Sequence, residues 1–458
     1  MLAVHSGFFG RLFTPYRSIL ALLFCSYVAA FIDRGLVSVA GAPIKRDLGL
    51  TDTQFGLLNG TAFVALYCVC GIPLGWLADR IDRRAVIALG LLIWSAMTAA
   101  CAIAGSFGAF FLARVGVGLG EACLVPAGIS LLGSVTPRRR MARSVAIFLM
   151  GAAVGNVFAL LAGGRILERI GIATIPVFGQ IAPWRVLFLL AAVPGFALAA
   201  LVMVIREPAR AASFVRPWSA LKAASALLHD SRRAYVPLTI ATACIITLSQ
   251  TQAAWVPLFY TRAFGLAPGA AAQIVGLMFL LSAPAGQWLG GLLIDHLRGR
   301  GIAAAPHVLQ AGCSLLCIPP AVLFCTAKQL GVSEAGFTVY NLLVFAATPA
   351  GMTGWLLLTP ERFQGLIVAL LVAVVTLIGV GVGPVVVGVL TDRLFGHEQA
   401  LGISLLCVII GAGIGGSIAA LFGRRAFAQS LTVAQGGQFD IVAPRRRFLG
   451  AASSGQSK

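Results

Sequence analysis

Runs of sequence without a single charged residue recur along this chain. Thr53–Ala78, Val186–Ile205, Tyr235–Thr261, Ala335–Pro360 and Leu366–Thr391 contain no Asp, Glu, Lys or Arg. A helix rises about 1.5 Å per residue, so about 20 apolar residues cross the hydrocarbon layer of a bilayer. A soluble domain carries about 25% charged residues, whereas this chain has 11%, with 59% hydrophobic residues. Inside lipid the backbone must satisfy its own hydrogen bonds, which leaves helices or a closed barrel. A barrel needs short strands of alternating character, and these long unbroken runs exclude it. The chain reads as an all-α membrane protein.

Turn signals divide the remaining spans. The uncharged stretch Ala85–Ala113 splits at Gly105-Ser106-Phe107-Gly108. Twelve transmembrane helices are expected, over 18–42, 54–78, 84–104, 107–134, 142–165, 185–205, 235–262, 270–294, 303–327, 334–358, 364–391 and 400–423. Arg11 and Arg17 before "SILALLFCSYVAA" have the look of a secretory leader. The apolar run continues past Asp33 and Arg34 into further span, which argues against cleavage.

A net charge of +19 invites a nucleic-acid reading, but the placement of the basic residues argues otherwise. With the N-terminus inside, most of the 34 Lys+Arg fall on one side, leaving Lys45, Arg46, Arg165, Arg169, Arg185, Arg262, Lys328 and Arg393 on the other. This is the positive-inside bias. It places both termini in the cytoplasm of a plasma (bacterial inner) membrane, with no nucleic-acid partner expected. The ten cysteines all lie in apolar runs and the five histidines lack metal-ligand spacing, so neither metal nor cofactor is expected. No Gly-x-Ser-x-Gly elbow, Walker loop or His-Glu-x-x-His motif is present, and the chain is expected not to be an enzyme.

The long polar connection 206–234 separates six spans from six. The expected organisation is a bundle over 1–205, a cytoplasmic linker over 206–234, a second bundle over 235–425, and a disordered basic tail over 426–458. Span two ends in "GWLADRIDRR" (75–84) and span eight in "GGLLIDHLRGR" (290–300), while "TPRRR" (136–140) and "TPERF" (359–363) open spans five and eleven. Two pseudo-symmetric halves of six helices around a midplane site is a transporter arrangement.

The segments "DRGLVSVAGAPIKRDLGLTDTQFGLLNGTAF" (33–63), "GIPLGWLADRIDRR" (71–84), "RVGVGLGEACLVPAG" (114–128), "GAAVGN" (151–156), "WRVLFLLAAVPG" (184–195) and "IREP" (205–208) carry a family resemblance. With them the chain resembles the major facilitator superfamily, in its spinster-like branch. The likeness covers nearly all of the first half and is weaker in the second, where "GVGPVVVGVLTDR" (381–393) is the best piece. Asp82 stands where the superfamily's cytoplasmic loop usually has Gly, which puts the turn geometry there in question. The resemblance implies a gating loop at Gly75, Asp79, Arg80, Arg83 and Arg84, with Asp295 its counterpart in the second half. It implies also that Asp79 favours the N-terminus of span eleven when the cytoplasmic face is closed.

Four ionisable residues lie well inside the spans: Asp33 and Arg34 on span one, Arg114 and Glu121 on span four. Arg114 and Glu121 are seven apart and share a helix face. Asp33 and Arg34 are neighbours, splayed by about 100°, and cannot easily satisfy each other. Cross-pairing between the two spans is therefore expected, in the cavity that spans one and four line in the resembling fold. A purely structural clamp is the plainer reading. Buried pairs add little stability over apolar replacements, however, and charges inside membranes usually mark substrate or proton paths. Burial raises a carboxyl pKa and a neighbouring Arg lowers it, so a change in either can move a proton. Asp33 and Glu121 are the candidate proton-exchanging groups, as carboxylates matching them are in resembling transporters. Arg34 and Arg114 would poise them or attract an anionic substrate group.

Further candidates for lining the cavity are Asn59, Asn156, Gln250, Gln252, Trp255 and Tyr340, with interhelical packing an equal reading for the glutamines. The expected function is secondary active transport of a small amphipathic organic anion by alternating access, coupled to protons. The spinster resemblance suggests a lysolipid-like substrate. Alternatives are an exporter of hydrophobic xenobiotics and a non-translocating receptor. The expected partners are a small-molecule substrate, protons and the lipid bilayer, and the chain is expected to be a monomer.

Overall fold

The computed structural model describes residues 15–78, 80–137, 140–170, 173–175, 179–205 and 217–436. Among them are twelve helices long and apolar enough to cross a membrane: Tyr16–Val39, Asp52–Gly71, Arg83–Ile103, Phe107–Val135, Arg143–Arg169, Pro183–Val204, Arg232–Phe264, Pro268–Gly299, Ala305–Thr326, Leu330–Leu358, Phe363–Phe395 and Glu398–Leu431. They are numbered here as spans 1–12. Because their number is even, span 1 starts and span 12 ends on one face, the terminal face. The opposite face is called distal.

Local chemistry sets the ends. Thr51 opens span 2 with a reciprocal cap: its hydroxyl accepts from Gln54 N at 3.2 Å, and its own N donates to Gln54 Oε1 at 3.0 Å. Span 3 starts behind Asp82, whose carboxylate accepts from Arg84 N at 2.8 Å. Asp82 has φ −54°, open to any residue, so the turn does not need the glycine usual in the family's loop. Span 7 stops at Gly265, which takes φ +66°, a conformation glycine adopts at no steric cost.

Large apolar side chains face outward along the spans, among them Leu112, Trp288, Val204 and Phe422. In water this would be a severe liability; against lipid it is the normal surface. Where the halves meet near the distal face, glycines remove the side chains. A Cβ on Gly56 of span 2 would lie 2.6 Å from Pro384 O of span 11, and one on Gly164 of span 5 would lie 2.7 Å from Gly269 O of span 8. Thr61 donates to Gly381 O at 2.7 Å across the same seam.

Several features differ from the sequence reading. A short antiparallel hairpin, 173–175 paired with 179–181, follows span 5. The linker contains a helix, Pro217–Asp230. The last helix runs to Gly436, so the tail expected from 426 is helical in its first part. Phe427 and Leu431 are the reason: spaced four apart, both are buried, and the Phe427 ring stands 4.6 Å from that of His307. Arg424 and Arg425 looked like the end of the span, but long basic side chains let a helix continue beneath their charged heads. Spans 5 and 11, matching positions in the two halves, each contain a π-helical turn towards the distal face, Ala159–Gly163 and Leu390–Phe395.

Candidate functional site: two crossed ion pairs

Spans 1 and 4 bring the four interior charges together as two separate pairs. Arg114 Nη1 donates to Asp33 Oδ2 at 2.8 Å. Arg34 donates to Glu121 Oε2 from Nε at 2.8 Å and from Nη2 at 2.5 Å. The splay between adjacent residues sends Asp33 and Arg34 to different partners, and the two-turn spacing of Arg114 and Glu121 receives them on one face. Thr98 of span 3 donates to Asp33 Oδ1 at 2.7 Å.

Span 2 joins the site through an aromatic ring. Gly118 lies between Arg114 and Glu121 in span 4, and a Cβ there would collide with Phe63 O. That close approach puts the Phe63 ring beside both guanidiniums, 4.1 Å from Arg34 Cζ and 5.9 Å from Arg114 Cζ. Arg34 also lies over Phe31 at 4.5 Å and Tyr67 at 5.2 Å. Each such contact is worth about 0.5–2 kcal/mol, more where desolvated.

The pairs are not equivalent. Side-chain exposure is 2% for Arg114 and 1% for Asp33, against 23% for Arg34 and 0% for Glu121. One pair is sealed; the other has its cation partly exposed. Both oxygens of Asp33 accept hydrogen bonds, whereas Glu121 Oε1 is buried with no hydrogen-bond partner among the described residues.

The other candidates scatter. Asn59, Asn156 and Gln250 are half-buried. Asn59 ties span 2 to span 1, accepting from Ser38 Oγ at 3.0 Å and donating to Phe55 O at 3.2 Å. Gln252, Trp255 and Tyr340, expected in the cavity lining, are buried among packed helices, Trp255 at the seam with its ring 5.1 Å from that of Phe55 in span 2. Gln252 donates to Asn341 Oδ1 at 2.6 Å, and Asn341 to Ser282 Oγ at 2.5 Å. Trp255 Nε1 donates to Pro384 O at 3.0 Å, and Tyr340 Oη to Leu248 O at 3.3 Å. Long polar side chains on a helix can serve either purpose, and here neighbouring helices supply the partners.

The gating-loop candidates lie apart from the ion pairs. Asp79 falls outside the described residues. Gly75 sits where a Cβ would approach Pro126 Cβ to 3.1 Å. Arg80 is exposed, with its Cζ 3.8 Å over Trp76. Arg83 is buried and donates to Ser130 O at 2.9 Å, while Arg84 pairs with Asp82 at 2.7 Å and donates to Ile205 O. These two arginines brace the loop against spans 4 and 6 of their own half. Asp295 is exposed near the end of span 8.

Sequence reasoning missed Thr98 and Phe63, since one hydroxyl or one ring in an apolar helix carries no signal of its own. It missed also a cluster at the distal face involving Lys45, Asp52, Arg262 and Glu398, because these lie at helix ends where charge is unremarkable.

The family profile of the major facilitator superfamily matches residues 23–384. The chain belongs to that superfamily. An efflux pump of this superfamily from Mycolicibacterium smegmatis is 29% identical over 85% of this chain and 88% of its own. Human protein spinster homolog 1 is 25% identical over 91% of this chain and 82% of its own. The crystal structure of a bacterial homolog of the human lysosomal transporter spinster, inward-facing and unoccupied, superposes with a TM-score of 0.78 at 25% identity, covering 92% of this chain and 98% of that one. This superfamily member is a spinster-like, multi-pass membrane transporter rather than an enzyme.

Proposed function

We propose that this transporter carries a small amphipathic organic anion by alternating access and couples its binding to proton uptake at Glu121. The observation that carries the reading is the asymmetry of the Arg34–Glu121 pair, whose cation is partly exposed and whose carboxylate is sealed. An anionic headgroup reaching Arg34 competes with Glu121 for the guanidinium. Once Arg34 turns to the cargo, Glu121 is a buried carboxylate without a partner, a state costly enough that the group takes up a proton instead. Release of the anion returns Arg34 to Glu121 and expels the proton. The Asp33–Arg114 pair, sealed and with both carboxylate oxygens bonded, holds the site's frame and is the lesser proton carrier.

The spinster kinship supports a lysolipid-like cargo, whose single charge suits Arg34 and whose tail suits an apolar second half. The positive-inside bias supports a cytoplasmic terminal face in a bacterial plasma membrane. The test is a pH-indicator assay on detergent-purified protein titrated with lysophospholipids and fatty acids. Proton uptake on binding is expected for the native chain and should vanish in Glu121→Gln. Binding without any proton exchange would refute the coupling.

The Mycolicibacterium relative favours a second reading, efflux of hydrophobic compounds. Neutral cargo would bind without Arg34, so undiminished binding of neutral hydrophobic dyes by Arg34→Gln supports it, and loss of that binding opposes it.

A further inference from the structure

Five charged residues that the ion-pair site does not use converge at the distal face, from both halves of the molecule. Asp52, at the first turn of span 2, is completely buried. Arg262, at the end of span 7, grips it with two hydrogen bonds, Nη1 to Oδ2 and Nη2 to Oδ1, both 2.8 Å. Lys45, from the helix Gly41–Leu48 that follows span 1, donates to Asp52 Oδ1 as well. Glu398, at the start of span 12, closes the circuit: Oε1 lies 3.1 Å from Lys45 Nζ and Oε2 lies 3.1 Å from Arg262 Nη2. Lys45 and Asp52 belong to the first half, Arg262 and Glu398 to the second, so two of these four ion pairs, Arg262–Asp52 and Lys45–Glu398, cross the seam.

The fifth residue acts on the backbone. Asp392, near the end of span 11, accepts from Asp52 N at 3.1 Å and from Thr53 N at 2.6 Å. These amides belong to the first turn of span 2, where N–H groups lack partners within the helix and a negative charge is favourable. A helix of the first half is thus completed by a carboxylate of the second. Gly388, one turn earlier in span 11, makes room for the approach, since a Cβ there would collide with Asp52 O.

We propose that Asp52 is the hub of an ionic latch that holds the distal face shut, and that Asp392 is its second catch. The inference rests on the alternating-access reading, in which the distal face must open in each cycle. Separation of the halves would strand Asp52 with Lys45 alone and deprive two amides of their acceptor, until water enters to replace both. A buried network of this kind is expensive to break in part, which makes opening all-or-none. Glu398 is 63% exposed at its side chain and already shared with water, so it is the weak member.

The test measures the distance across the distal face by electron–electron double resonance. Spin labels on non-natural amino acids replace Ala109 and Gln399, both exposed and in opposite halves, and leave the ten native cysteines in place. The protein is reconstituted in lipid nanodiscs, and native, Asp52→Asn, Arg262→Gln, Asp392→Asn, Glu398→Gln and Arg185→Gln chains are compared. The last breaks an ion pair within one half, Arg185 with Asp47 at 2.9 Å, and controls for general loosening. Loss of charged hydrogen bonds at Asp52 should raise the ratio of long to short distances about tenfold or more. Arg262→Gln should approach that effect, Asp392→Asn and Glu398→Gln should give less, and Arg185→Gln should leave the ratio unchanged. Should Asp52→Asn fail to fold, Arg262→Gln and Asp392→Asn carry the same comparison. An unshifted ratio in folded latch variants, or an equal shift in Arg185→Gln, overturns the latch while leaving alternating access standing. A single unchanging distance in every chain at every pH would refute alternating access itself, and the latch with it.

Discussion

Removing one carboxylate from each ion pair of the site should have opposite consequences for stability and for function. Asp33→Asn leaves Arg114 charged, with 2% of its side chain exposed and its 2.8 Å partner neutralised. Stranding a charge by breaking a buried pair costs about 3–5 kcal/mol. Glu121→Gln leaves Arg34 in a different position. It is 23% exposed, so water can take over part of its solvation, and it keeps Phe31, Phe63 and Tyr67 around it. The cost there should be about 1–2 kcal/mol, near the low end for a charged hydrogen bond. The melting-temperature fall of purified protein, read at one scan rate, should therefore be more than twice as large for Asp33→Asn. Adding Arg114→Met to Asp33→Asn removes the stranded charge and should recover most of the loss. Proton uptake on substrate binding should follow the other order, abolished by Glu121→Gln and retained by whatever Asp33→Asn protein folds. Equal melting of the two single variants, or no recovery from Arg114→Met in the Asp33→Asn background, would refute this inequality of the pairs.

Three smaller tests follow from packing. Gly118→Ala forces a methyl group against Phe63 O and should displace the ring from both guanidiniums, lowering transport in proteoliposomes while the protein still inserts. Asn341→Ala takes away the acceptor of Gln252, whose Oε1 is already unpartnered and buried; a loss of about 1–3 kcal/mol should appear as a lower melting temperature. His307→Phe should do the reverse, leaving stability unchanged or raised in the same melting assay. Both ring nitrogens of His307 are buried without hydrogen-bond partners among the described residues, and Phe427 offers an aromatic neighbour at 4.6 Å.

The spans were readable because the absence of charge over twenty residues has a single physical meaning. Asp33, Arg34, Arg114 and Glu121 stood out for the complementary reason that charge inside lipid is expensive. Their crossed pairing followed from spacing on two helices. The inequality of the pairs did not, because it depends on which guanidinium neighbouring helices cover, and the covering side chains lie far away in sequence. Gln252 could not be assigned between cavity and packing, since its chemistry suits both and Asn341 lies 89 positions away. Lys45, Asp52, Arg262 and Glu398 were hidden by their position at helix ends, where water would ordinarily solvate them. The extension of span 12 to Gly436 was masked by Arg424 and Arg425, whose charge sits outside while Phe427 and Leu431 pack within.

The π-turn of span 11 is a place where that helix could turn locally without breaking. Asp392 sits within it, in Leu390–Phe395, where the coil carries one residue more than an ordinary turn would hold. Passing that surplus residue along by a single position would swing the Asp392 carboxylate about 100° around the helix axis, off the amides of Asp52 and Thr53. Span 11 would lose no net hydrogen bond of its own in doing so, and a small sideways slip would be enough to turn the carboxylate away.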